Sequence, residues 1–334
     1  MREKVGGQPI PSEPTADAQT TGELLRAEQD RMIQQVPGGT GVAAVGVGAD
    51  VPSLTLWGDV WRRLRKNKLA IIGTAIIMVL VLTALAAPLV APYDPTRQNL
   101  DISLSSPNAK HWFGTDILGR DYFSRVVYGS RISISIGVVA VSITLVLGLI
   151  FGALAGYYGR WVDAVIMRFA DMFFAFPFIV GVIVLITVLG RTLPRLPVLF
   201  VAIGLFGWAS VARIFRSSII QVKNAEYVEA ARAMGASHWR ILTRHVVPNS
   251  LAPVIVFATI ATGTVILTEA ALSFLGVGVP VGTPAWGLMV SEGKSHLTTE
   301  PWLVIFPGVA IVVTVLGFIF LGDGLRDSMD PRLR

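Results

Sequence analysis

The feature that most constrains this chain is the way its apolar residues are blocked. Residues 69–93 run for 25 positions without a formal charge, and residues 132–159 for 28. Further runs cover 172–190 and 196–212, and between His245 and Glu292 the single charged side chain is Glu269. About 20 consecutive apolar residues cross the hydrocarbon core of a bilayer, so these runs read as membrane helices. The Gly and Pro residues of GVGVPVGTP (276–284) break the fifth run after one span, and a last run covers 303–321. Six spans are expected, in an all-α membrane protein. The 17 residues of 196–212 are short for a span, but Arg195 and Arg213 at its ends can snorkel. Charged residues make up only 15% of the chain against 53% hydrophobic, which rules out a water-soluble globular protein.

The Lys and Arg residues behind the net charge of +6 sit in short clusters at the ends of apolar runs, with no basic stripe suited to nucleic acid. They also orient the spans. The segments WRRLRKNK (61–68), 159–171, 213–250 and the C-terminal end carry about twice as many basic residues as 94–131, 191–195 and 280–302. The first group is therefore expected on the cytoplasmic side, with both termini. Residues 1–50 are polar or rich in Gly and Ala and are expected to be a disordered tail, apart from a short helix near 22–36. The N-terminal MREKVGGQPI lacks the apolar core of a signal peptide. Residues 51–68 form a basic lead-in and 69–334 a six-helix domain, with outer loops 94–131 and 280–302 and an inner loop 213–250.

Chemistry of the chain's own is hard to find. There is no GxxxxGK[ST] phosphate loop, no HExxH and no GxSxG. Cysteine is absent and the four histidines are scattered, so neither a catalytic group nor a metal site is expected. A membrane protein of this kind moves a solute, scaffolds, or supports a larger enzyme.

The most patterned stretch is EYVEAARAMGASHWRILTRHVVPNS (226–250). Residues 226–234 favour helix, with Glu early and Arg232 late to suit the helix dipole. Gly235 is placed to end it in a left-handed conformation, Ser237 to cap a second helix, and Pro248 to open the next span. Ala230 and Ala231 would let another surface approach closely, and Glu229 offers a charged anchor. An amphipathic helix lying on anionic lipid is the competing reading.

Glu229-Ala230-Ala231, Gly235 and Pro248 resemble the EAA loop of permease subunits in bacterial ATP-binding-cassette importers. That motif runs EAA, three residues, Gly, nine residues, I-x-L-P; here His245 replaces Ile and Val247 replaces Leu. The form Arg244-His245-x-x-Pro248-Asn249 is instead similar to the oligopeptide/dipeptide/nickel branch. So are HWFGTDILGRDYFSRVVYGSR (111–131), LSFLGVG (272–278), AWG (285–287) and GDGLRDSMDPR (322–332), with a large first outer loop as in C-type subunits. The resemblance covers residues 57–334. It implies a type I importer permease fold in the bacterial inner membrane and a second homologous permease. Two cytoplasmic ATPases that bind ATP and Mg, an outer substrate-binding protein and a peptide cargo are implied as well. No cofactor is implied in this chain itself, and nickel chelates are the alternative cargo. It assigns ATPase coupling to Glu229, Ala230, Ala231, Gly235, Ser237, Arg244, His245 and Pro248.

Two further features each admit two readings. Glu269, in the fifth span, is a path or gating residue, or a structural hydrogen bond. Asp116, Arg120 and Asp121 meet the outer binding protein, or tie down their own loop. Arg168 and Asp171, three apart, are expected to pair at a helix end near Asp163, with Pro177 kinking the third span. Trp112, Trp286 and Trp302 are expected in an aromatic belt.

Overall fold

The computed structural model describes residues 56–329, so the expected tail 1–50, the helix expected near 22–36 and the last five residues lie outside the described residues. A short helix, α1 (Leu56–Leu64), leads into α2 (Lys68–Leu85). The Asn67 side chain caps α2, accepting from the amides of Leu69 at 3.0 Å and Ala70 at 3.2 Å. After a loop that holds only two single turns, Ala87–Val90 and Leu100–Ile102, come α3 (Tyr122–Tyr158), α4 (Arg160–Ala175), α5 (Phe178–Leu189) and α6 (Arg195–Lys223). The chain then forms α7 (Glu226–Ala233), α8 (Ala252–Phe274), α9 (Trp286–Gly293) and α10 (Trp302–Met329).

Five of these helices are long and apolar enough to cross a membrane: α2, α3, α6, α8 and α10. The expected third span departs from its prediction. It is two helices, α4 and α5, that meet at 87°, and the count reaches six if the bent pair is one span. Pro177 is the physical reason. It has no N–H for the helix ladder and pushes the preceding residue out of the helical region, and Phe176 is extended at φ −89°, ψ 132°. The expected kink is a complete break, and α5, with 12 residues, is only about 18 Å long.

Small residues set how closely the helices pack. α3 and α6 share the most extensive helix pairing. Along it Gly148, Gly152 and Gly156 recur every four residues and so lie on one face. A Cβ at Gly148 would stand 2.4 Å from that of Val211, and one at Gly152 would stand 2.7 Å from the Ala212 carbonyl. α2 meets α10 in the same way, where a Cβ on Gly324 would come within 2.3 Å of Ala70. α6 also continues to Lys223, beyond the expected span end at 212. That extension carries Arg213 and Arg216 to the α4 carboxylates. Arg213 binds Asp171 at 2.5 Å and Arg216 grips Asp163, so Asp171 pairs across helices and not with Arg168.

The tryptophans separate. Trp112 is exposed, but Trp286 is buried, its Nε1 donating to the Val126 carbonyl at 2.9 Å, and it packs beside Trp302 in the core between α9 and α10. The belt reading fails for Trp286.

Candidate functional site

The patterned loop begins where α6 ends at Asn224. α7 buries Val228 against Phe215, Ile219, Ile241, Leu242 and Val246, and Ala231 is buried beside it on the same helix. Its end is a Schellman closure: the Gly235 amide donates to the Arg232 carbonyl at 3.0 Å and the Ala236 amide to Ala231 at 3.1 Å. Gly235 has φ +82°, the conformation the sequence called for. Ser237 then accepts from the Arg240 amide at 3.4 Å and opens a short turn, His238–Arg240.

The second half of the loop differs from expectation. Residues Ile241–Val246 are π-helical, with the Val247 amide reaching the Leu242 carbonyl. Pro248, two residues on, cannot donate and would press against the Arg244 carbonyl in a regular α-turn; the wider turn relieves that clash. Pro248 therefore sits in a separate segment, Val247–Ser250, and Pro253 lies in the first turn of α8.

The structure divides the expected coupling residues. Glu229, Ala230, Gly235, Ser237, Arg244 and Pro248 are exposed, and His245 is half-buried. Ala231 is buried in the protein's own core, so only Ala230 of the alanine pair can let another surface approach. The sequence reading missed three large neighbours on the open side. Tyr227, Met234 and Trp239 are 47%, 83% and 71% exposed, an apolar surface left open among the described residues. It also missed Tyr157 at the end of α3, whose hydroxyl donates to the His238 carbonyl at 3.2 Å and lies 3.1 Å from the His238 Nδ1. The available signal was Tyr227 and Met234, seven residues apart, with Trp239 just past the glycine that ends the helix.

Asp116, Arg120 and Asp121 do come together, but inward. All three side chains are buried. Arg120 and the fully buried Arg125 both donate to the Asp116 carboxylate, at 2.6 and 2.7 Å, and Arg125 also reaches Glu292 at 3.0 Å. This four-membered cluster ties the loop before α3 to α9. Burial pushes the Glu292 carboxyl upward, with Arg120 opposing the shift. Asp121 caps α3 through the Ser124 amide at 2.8 Å and accepts from His111 at 2.8 Å. The loop is held by its own ion pairs; what it presents outward is its surface.

Glu269 is fully buried. Its Oε1 accepts from Ser273 Oγ at 2.6 Å, and Ser273 Oγ accepts in turn from the Val279 amide at 3.2 Å, while Oε2 has no partner among the described residues. The pair fastens the Gly-rich turn after α8 back onto the helix.

Comparison with known proteins fits this arrangement. Residues 148–334 match the family described as binding-protein-dependent transport system inner membrane component, and residues 55–107 match the N-terminal TM domain of oligopeptide transport permease C. A dipeptide transport system permease protein of Alkalihalophilus pseudofirmus is 44% identical over 278 residues, 83% of this chain and 90% of its own. An oligopeptide transport system permease protein of Bacillus subtilis is 44% identical over 282 residues, 84% and 92% of the two chains. A glutathione transport system permease protein of Escherichia coli is 40% identical over 281 residues, again 84% and 92%. The fold resembles a chain of the MetNI methionine ABC transporter in an inward-facing form, at a TM-score of 0.51 and 20% identity, over 61% of this chain and 96% of that one. The chain is a multi-span membrane protein that belongs to the binding-protein-dependent permeases of ABC transporters, in the C-type dipeptide and oligopeptide branch.

Proposed function

We propose that this chain forms half of the translocation path of an ATP-driven importer of di- and oligopeptides, and that residues 226–250 seat it on a cytoplasmic ATPase. The exposed apolar surface of Tyr227, Met234 and Trp239 beside Glu229 carries the second part, since a permease with no phosphate loop must take its ATP hydrolysis from another subunit. The names of the relatives support the cargo: dipeptide, oligopeptide and glutathione, itself a tripeptide. A second homologous permease completes the path and an outer binding protein delivers the peptide. That protein meets the outer surface of the loop built around Asp116, Arg120 and Asp121. The Lys and Arg bias supports cytoplasmic termini in the inner membrane. Glu269 acts through the Ser273 tether, holding the turn after α8 during gating.

The test uses Glu229→Lys and Gly235→Val in the assembled transporter. Glu229→Lys reverses charge at the contact, and ATPase docking should weaken by about 1–3 kcal/mol. Both variants should insert normally yet lose peptide uptake and ATPase co-purification. A helix lying on anionic lipid predicts the reverse for Glu229→Lys, namely tighter membrane contact and unchanged uptake. Full uptake by both variants defeats the coupling assignment.

A further inference from the structure

A cavity of about 670 Å³ lies among α3, the bent pair α4–α5, α6 and α8. Its volume falls within the roughly 300–1,000 Å³ usual for small-ligand sites. Among the described residues no charged side chain lines it. Much of the wall is aromatic, including Phe173, Phe174 and Phe176 at the break before Pro177, with Phe206 from α6 and Phe257 from α8.

The polar part is narrower in its chemistry. Four hydroxyls reach the cavity from three helices: Thr144, Ser210, Thr264 and Thr268. Three of them already donate their proton to a helix carbonyl. Thr144 gives its to Gly204 at 3.1 Å, Thr264 to Ile260 at 3.3 Å, and Thr268 to Thr264 at 2.9 Å. Each keeps oxygen lone pairs but has no proton left to give. A Cβ at Gly207 would stand 2.7 Å from Thr144 Oγ1, so the glycine leaves that oxygen uncovered. The lining accepts hydrogen bonds and offers few in return.

We propose that this cavity is the chain's portion of the substrate path, and that it holds a short peptide through the peptide's own N–H groups without reading its side chains. The proposal rests on the permease reading and adds to it a place and a chemistry. Amide and ammonium N–H groups are what a wall with more free acceptors than donors selects. A wall without charges pairs with no ionic side chain, so acidic and basic peptides meet the same surface. The aromatic rings supply apolar contact that is indifferent to sequence. A lipid acyl chain has no N–H to give, and nothing about it calls for hydroxyls converging from three helices.

The absence of cysteine from the chain makes the test direct. Ser210→Cys, Thr264→Cys and Thr268→Cys are placed singly in the assembled transporter, in membrane vesicles whose partner chains carry no reactive thiol. A charged, water-soluble methanethiosulfonate reagent should label all three positions, and a dipeptide added under turnover should slow that labelling several-fold. Val146→Cys, on an exposed face of α3 away from the cavity, should stay unlabelled. In parallel, Thr264→Val with Thr268→Val removes two acceptors at nearly constant volume. Uptake of acidic, basic and neutral dipeptides should fall alike, by about tenfold, while the purified complex keeps its full set of subunits. Labelling only by an uncharged, membrane-permeant reagent identifies an acyl chain as the occupant and overturns the proposal. Labelling that ignores the peptide overturns it too, as does a loss of uptake confined to one charge class. If the cysteine variants still transport in those cases, the permease reading stands and only the path assignment falls.

Discussion

Gly235 is a glycine for reasons of backbone alone. A Cβ placed there meets nothing within 4 Å, so the whole cost of Gly235→Val lies in φ +82°, roughly 1–2 kcal/mol for a left-handed residue. Gly235→Asn should recover most of the coupling lost by the valine, because Asn visits that region far more readily; uptake assays on the two variants make the comparison. Arg125 is the opposite kind of residue, fixed by partners. It is fully buried between Asp116 and Glu292. Arg125→Met leaves the buried Asp116 and the partly exposed Glu292 with one arginine and should cost about 3 kcal/mol. Pairing it with Glu292→Leu restores charge balance and should recover at least half of that loss. Thermal unfolding of the purified protein reads both.

At the scale of elements, the α3–α6 seam depends on the absence of side chains at every fourth position. Gly152→Val brings a branched side chain to within 2.7 Å of the Ala212 carbonyl and 3.0 Å of Phe215 Cβ. No flexible end of a side chain is available there to yield, so the helices must separate, at a cost of about 1–3 kcal/mol or more. The expected outcome is a lower midpoint of thermal inactivation for the assembled transporter. Val146→Ala on the same helix, where the residue is 57% exposed, should change little. Helix identity in this region was legible from uncharged runs and caps. The seam was not, although the Gly148, Gly152 and Gly156 spacing was present in the sequence; a four-residue repeat of small residues signals a close contact without naming the partner. The break at Pro177 was half legible. A proline says where the ladder fails, but the 87° between the two helices is set by what each half packs against.

For the whole molecule, the permease reading requires that the chain hydrolyse no ATP by itself. Purified alone, it should show turnover at background, and activity that survives removal of contaminating ATPases would defeat that reading. Deletion of residues 1–50, which lack any core-forming pattern, should leave membrane insertion and assembly intact in a membrane-fraction assay. Loss of assembly would make the tail a docking element.

The uncharged runs by themselves determined that the chain is helical and lives in a membrane, because a continuous apolar run of about 20 residues satisfies its backbone polar groups in hydrocarbon as a helix, whereas a barrel strand is shorter and alternates. Local chemistry likewise determined the end of α7 at Gly235, since φ and the Schellman bonds involve only neighbours in sequence. The tertiary structure decided everything that depends on partners distant in the chain. It turned Asp116 and Arg120 inward to Arg125 and Glu292, gave Asp171 to Arg213 across the helix boundary, buried Ala231 while leaving Ala230 open, and gathered hydroxyls from three helices into one cavity. Sequence spacing tells which residues share a helix face. Whether that face meets another helix, lipid, water or a second protein is fixed only when the helices pack.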